Sequence, residues 1–197
     1  MVTRLRAVGG LAAIAVTVLS AAGAVAETPD PGCVSRPDCR FVGAVTLRTD
    51  QGVKTPALNR NMPFLRQIGG HQRLWLVLGE RVDLRVGGPG EPPLTVVAHG
   101  QASDPPRPGG TLKDMVEVEF AQMDGSTLTN LTVRNGYARP LLYKAFLLSK
   151  GGDERHTSTC PVLPGVFSME NWQGPLVEID LADFQLGDPA GTTITCQ

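Results

Sequence analysis

Val116-Glu117-Val118-Glu119-Phe120 decides the fold. Three apolar side chains at every second position, with two carboxylates between them, have the period of a strand that is buried on one face and wet on the other. Asp124-Gly125 follows. This dipeptide suits the positive backbone angles of a tight hairpin turn and leads into a second apolar run over Leu128 to Val133. The same alternation recurs outward in both directions. Val82, Leu84 and Val86 alternate with Asp83 and Arg85, and Val177, Ile179 and Leu181 with Glu178 and Asp180. Ile194 and Cys196 share a face in a last strand. Leu74 to Leu78 and Leu141 to Leu148, the latter interrupted by Lys144, are unbroken apolar runs, as in strands covered on both faces.

Turn signals separate these runs: Asn135-Gly136, Gly151-Gly152-Asp153, and Pro/Gly-rich loops over Gly87 to Pro93 and Asp104 to Gly110. With 23 glycines and 16 prolines in 197 residues, helix is expected only as a turn or two near Asn61 to Gln67. The pattern predicts an all-β sandwich over residues 41–197, preceded by a Cys-containing segment, 27–40; Asn135-Gly136-Tyr137 followed by the Tyr143-Lys144-Ala145 strand resembles an immunoglobulin-like domain, which makes the expected fold an immunoglobulin-like β-sandwich by analogy. Its inner faces include Trp75, Val77, Val116, Val118, Phe120, Leu131, Val133, Tyr143, Ala145, Ile179 and Leu181.

Residues 1–26 read as an export signal. Arg4 and Arg6 precede a short apolar run, Leu11 to Leu19, and Ala24-Val25-Ala26 is a small-x-small cleavage site. Cys33 lies behind Asp30-Pro31-Gly32, a turn unlike a lipidation signal. Cleavage after Ala26 places the product in the periplasm or outside a bacterial cell. It also moves the net charge from −1 to −3, because two arginines leave and no acid does. A mildly acidic chain with no basic stripe makes nucleic acid and anionic membrane unsuitable partners, and no second apolar stretch is long enough to span a bilayer.

In an oxidising compartment the four cysteines pair. Cys33 with Cys39 and Cys160 with Cys196 is the favoured connectivity, because Cys33 and Cys39 flank a turn-prone segment. Five residues between Cys33 and Cys39 fit neither a redox pair nor a zinc pair.

Reactive motifs are absent: there is no Gly-x-Ser-x-Gly elbow and no Ser-x-x-Lys. No catalytic residue, metal ligand or cofactor is assigned. Glu178 with Asp180 and Glu117 with Glu119 each place two carboxylates on one strand face, as a hydrolase of polysaccharide or peptidoglycan would need. Opposite an apolar triplet, the same pairs read as the solvated face of a sandwich. His156, Cys160 and Met169 hold imidazole, thiol and thioether, a set suited to copper, but in the wrong order for a blue-copper loop, and pairing of Cys160 removes its thiolate. His156 otherwise reads as a loop residue beside Glu154 and Arg155. Asn130-Leu131-Thr132 matches a glycosylation sequon inside a strand. Trp75 reads as core. Trp172, in a loop between Glu170-Asn171 and Gln173-Gly174-Pro175, reads either as a binding anchor or as a cover for the edge of the core.

Val133-Arg134-Asn135-Gly136-Tyr137, Leu142-Tyr143-Lys144-Ala145, Thr157-Ser158-Thr159-Cys160-Pro161-Val162 and Glu170-Asn171-Trp172, followed by Leu181 to Leu186, resemble segments of a group of uncharacterised small exported bacterial proteins. That group carries a signal peptide and a paired-Cys start, and its Glu-x-Trp usually runs directly into Pro. Here Gln173 and Gly174 intervene before Pro175. The resemblance implies one exported fold and no particular activity. The expectation is an exported, non-enzymatic module that binds an unknown protein or envelope component, or has a structural role there. Its contact region is Thr157 to Pro175, with Trp172, Glu170 and His156 as candidate binding residues.

Overall fold

A computed structural model describes residues 33, 36–105, 112–148, 153–188 and 195–196. The signal segment and Ile194 lie outside the described residues. Fourteen strands occur among those described, and no helix: β1 (Cys39–Ala44), β2 (Leu47–Thr49), β3 (Gly52–Lys54), β4 (Ala57–Pro63), β5 (Leu65–Ile68), β6 (His71–Val77), β7 (Glu80–Val86), β8 (Leu94–Gln101), β9 (Val116–Gln122), β10 (Thr129–Asn135), β11 (Leu141–Leu148), β12 (Glu154–Thr157), β13 (Phe167–Trp172) and β14 (Glu178–Leu186). Two five-stranded antiparallel sheets form a β-sandwich. The first runs β13-β10-β9-β7-β8 and the second β12-β11-β14-β6-β5. The chain changes sheet between β6 and β7, β10 and β11, β12 and β13, and β13 and β14.

Alternation dictates the core. Val116, Val118 and Phe120 of β9, Leu131 and Val133 of β10, and Val82 and Leu84 of β7 are fully buried. They meet Leu74, Leu76, Ala145, Ile179 and Leu181 of the second sheet in one cluster. Burying a side chain of this size contributes about 1.5–3 kcal/mol. The Asp124-Gly125 turn forms as the sequence requires. Gly125 has φ 71°, Met123 N–H donates to Leu128 O at 3.0 Å, and Ser126 N–H to Met123 O at 3.0 Å.

Four expectations need correction. The segment expected to turn helically, Asn61 to Gln67, is the end of β4 and the start of β5. Pro63 has no N–H for a helix ladder, and Phe64 N–H donates instead to Asp38 O at 2.8 Å. Trp75 is not an inner-face residue: Leu74 and Leu76 take the core side of β6, and Trp75 lies half-buried on the opposite face. Leu141 to Leu148 alternates buried and half-buried residues, so Lys144 belongs to an outer face rather than interrupting a doubly covered strand. Asp83 and Asp180, expected in solvent, are fully buried.

A two-stranded ribbon, β1 with β4, packs against the sandwich. It delivers Val42 and Met62 to the core. Arg40 anchors it to the sandwich by forking onto Glu80, with Nη2 2.6 Å from Oε2. The β2–β3 hairpin beyond it is tied to β9, where Gln122 Oε1 accepts Arg48 N–H at 2.7 Å and Nε2 donates to Arg48 O at 3.0 Å. Cys33 is bonded to Cys39 and Cys160 to Cys196. Among the described residues no helix is long and apolar enough to cross a membrane.

Candidate contact surface

Glu170-Asn171-Trp172 does not form a loop. It is the end of β13, which pairs antiparallel with β10 from Thr129↔Trp172 to Arg134↔Phe167 without a shift in register. Period-2 alternation turns Ser168, Glu170 and Trp172 inward and leaves Phe167, Met169 and Asn171 exposed. Trp172 packs against the core, so its indole braces the strand and is not a free anchor.

Glu170 closes the seam between the sheets. Its Oε1 accepts the Tyr143 hydroxyl of β11 at 2.8 Å, and its Oε2 accepts the Thr157 hydroxyl of β12 at 3.1 Å. Tyr143 Oη also lies 3.1 Å from Ser168 Oγ. Burial pushes the Glu170 carboxyl above its ordinary range, against the two hydroxyl donors that favour its charged form. Burial, together with the adjacent Glu170 charge, raises the Tyr143 phenol strongly.

Outside this seam the chain from 163 to 169 exposes a run of apolar residues. Leu163 is 39%, Val166 48%, Phe167 53% and Met169 49% exposed. Four such residues within seven positions are more than the isolated apolar side chains common on soluble surfaces. Arg134 lies over the Phe167 ring at 5.3 Å and pairs with Glu117 at 3.0 Å. His156 is exposed on β12, its ring 5.3 Å from Phe146.

The paired carboxylates are engaged elsewhere. On the outer face of the second sheet, Glu178 pairs with Arg60 and accepts the Trp75 indole N–H at 3.0 Å. Asp180 pairs with Arg66 and lies 3.6 Å from Arg73, which reaches Glu154 at 2.8 Å. Arg66 covers the Trp75 ring at 4.2 Å and Arg73 the Phe146 ring at 4.6 Å. Burial raises the Asp180 carboxyl despite the hydrogen bond and charge of Arg66. Glu119 is raised by burial and then by Glu117. Two arginines against one carboxylate tie Asp180 into a structural ladder, a role the sequence did not suggest because its partners come from two other strands, β5 and β6.

A separate cavity of about 220 Å³ is lined by Leu142, Tyr143, Lys144, Asp183 and Gln185. The register shift between β11 and β14 at Leu142/Lys144 puts Asp183 at φ 55°. There it accepts Lys144 Nζ at 2.8 Å and lies 3.1 Å from His71 Nδ1. The Lys144 hydrogen bond holds the Asp183 carboxyl below its usual range. Cys160 is oxidised and offers copper no thiolate, and among the described residues no group of His, Cys, Asp and Glu is placed to hold a metal ion. The sequon Asn130-Leu131-Thr132 is inside β10, with Thr132 buried. No family model, curated protein or solved structure matches the chain.

Proposed function

We propose that this chain is an exported, non-enzymatic β-sandwich protein that works in the bacterial envelope by binding a protein or envelope component or by a structural role. The observation that carries this reading is the exposed apolar run Leu163, Val166, Phe167 and Met169, whose last two members stand on a strand at the edge of a sheet and whose first two lie in the loop leading into it. Apolar side chains left in water at a sheet edge carry an association liability unless something covers them. Two disulfides suit an extracytoplasmic location. The resemblance to small exported bacterial proteins agrees with export, and the immunoglobulin-like analogy with a scaffold that presents contact surfaces at its edges.

The test is a comparison of the mature chain with a Phe167→Ser/Met169→Ser variant as bait for the envelope fraction. Both side chains point away from the core, so the melting temperature should stay near that of the parent while capture falls roughly tenfold or more. Equal capture by parent and variant overturns the reading. Trp172→Ala, by contrast, should lower the melting temperature, because the indole packs on the core.

A further inference from the structure

We propose that the free edge of β13 pairs with β13 of a second copy of the chain, extending the first sheet across a two-fold axis. This deepens the proposed function and rests on the reading of residues 157–175 as a contact surface. Strand β13 ends its sheet, bonded to β10 on one side, and among the described residues no strand lies on the other. The backbone phase follows from Asn135 N–H, which donates to Val166 O at 3.0 Å. In an antiparallel pair, bonded residues alternate. Ser168, Glu170 and Trp172 therefore bond toward β10, and Phe167, Met169 and Asn171 turn their N–H and C=O groups to the open edge. These three are also the exposed residues of the strand.

Soluble sheets guard such edges with lysine, proline, a bulge or an inward charge. Phe167-Ser168-Met169-Glu170-Asn171-Trp172 contains no lysine or proline, and its register to β10 is unshifted; a bulge, with Gly165 at φ 71° and both Gly165 and Val166 bonded to Asn135, ends just before it. Its one charge, Glu170, is occupied by Tyr143 and Thr157.

Self-complementarity points to a second copy as the occupant. With Met169 on the axis, Phe167 faces Asn171 of the other copy, and all three edge-facing residues find bonding partners. On the inner face Ser168 meets Glu170. No like charges oppose each other. Sliding the pairing by two residues strands one of the three. A single short edge falls well below the ~1,200–2,000 Å² of a stable interface, so the dimer is weak and depends on concentration.

Sedimentation velocity of the disulfide-bonded mature chain, from low micromolar to the highest soluble concentration, should show its mass rising toward twice the monomer value. Met169→Lys places two ammonium groups across the axis and should weaken the dimer at least roughly tenfold. Met169→Pro removes an N–H that β10 does not use. It should abolish the dimer with little change in melting temperature, whereas Ser168→Pro removes a β10-facing N–H and should lower it. A parent that stays monomeric throughout overturns the proposal, as does a dimer that Met169→Lys leaves intact. If the parent is monomeric and Met169→Lys abolishes envelope capture, the dimer is wrong and the binding reading survives. If capture also persists, both fail.

Discussion

Arg40→Met tests the anchoring of the β1–β4 ribbon. The guanidinium forks onto Glu80, and the two side chains are 8% and 12% exposed. Arg40 also donates to Met62 O at 3.1 Å and Trp75 O at 3.0 Å, and lies 3.8 Å from the Phe64 ring centre. Glu80 Oε2 further accepts Val77 N–H at 2.7 Å. Methionine keeps much of the volume and removes the charge, so Glu80 is left buried without its cation and two carbonyls lose donors. Breaking a buried pair in this way costs about 3–5 kcal/mol. Replacing both partners, Arg40→Met with Glu80→Leu, removes the stranded charge. The two carbonyls are unmet in both variants, so the exchange is the stranded charge for one unmet donor, Val77 N–H, which costs about 1–3 kcal/mol. The double variant should therefore be more stable than the Arg40 single variant. Urea unfolding with disulfides intact and a common m-value gives all three free energies. An Arg40→Met loss under ~1 kcal/mol, the range of an exposed pair, would refute the reasoning. So would a double variant whose loss equals the two single losses added together.

Stability should fall as pH rises from about 4.5, because the dominant shifts are upward. Glu119, Glu170 and Asp180 are raised by burial, so their contribution is complete below the unfolded values and is lost as pH climbs through the folded ones. Asp183, held down by Lys144, acts in the opposite sense, and its contribution is lost only as pH falls below its unfolded value of 3.8. Melting temperature against pH checks this, Asp180→Asn should flatten the slope, and a curve that rises toward neutral pH would count against it. Removing the Cys160–Cys196 bond, which spans 36 residues, should cost about 3.8 kcal/mol, and removing Cys33–Cys39 about 2.4, on the chain-entropy account; denaturant midpoints of the paired serine variants distinguish the two. Gly136→Ala should cost at least about 3 kcal/mol, because its Cβ would fall 1.6 Å from Leu112 O. Gly125→Ala, with open space around it, should cost only the ~1–2 kcal/mol of a left-handed backbone, and the same unfolding assay compares them.

Alternation made most of the sandwich readable. Val116 to Phe120, Val82 to Val86 and Ile179 to Leu181 carry their inward faces in their own period, and Asp124-Gly125 marks its own turn. What a two-residue period cannot show is whether the polar face meets water or another part of the chain. Asp180 and Glu178 alternate like solvated residues, yet Arg60, Arg66 and Arg73 from β4, β5 and β6 close over them, and those partners are more than a hundred residues away in sequence. Trp75 meets the same limit: its apolar run hides a face change that only the arginines on its far side reveal.

The contact surface was harder to read because local preference and tertiary pairing disagree there. Phe167-Ser168-Met169-Glu170-Asn171-Trp172 has no β-branched residue, and Ser168 and Asn171 favour turns. A loop was the natural expectation. Six register pairs with β10 override that preference, and Glu170 locks the strand by bonding to β11 and β12. The lock acts on the side that faces the molecule. It makes the backbone extended and rigid on the opposite side, where Phe167, Met169 and Asn171 stand, and a pre-ordered strand loses less conformational entropy on association than a loop of the same composition. Loosening the lock should therefore weaken association without touching the contact residues. Glu170→Gln keeps an acceptor for only one of its two hydroxyl donors, so it should raise the dissociation constant of the β13 contact while Phe167 and Met169 remain in place. Sedimentation of Glu170→Gln beside the parent reads this directly, and an unchanged association constant would separate the seam from the surface.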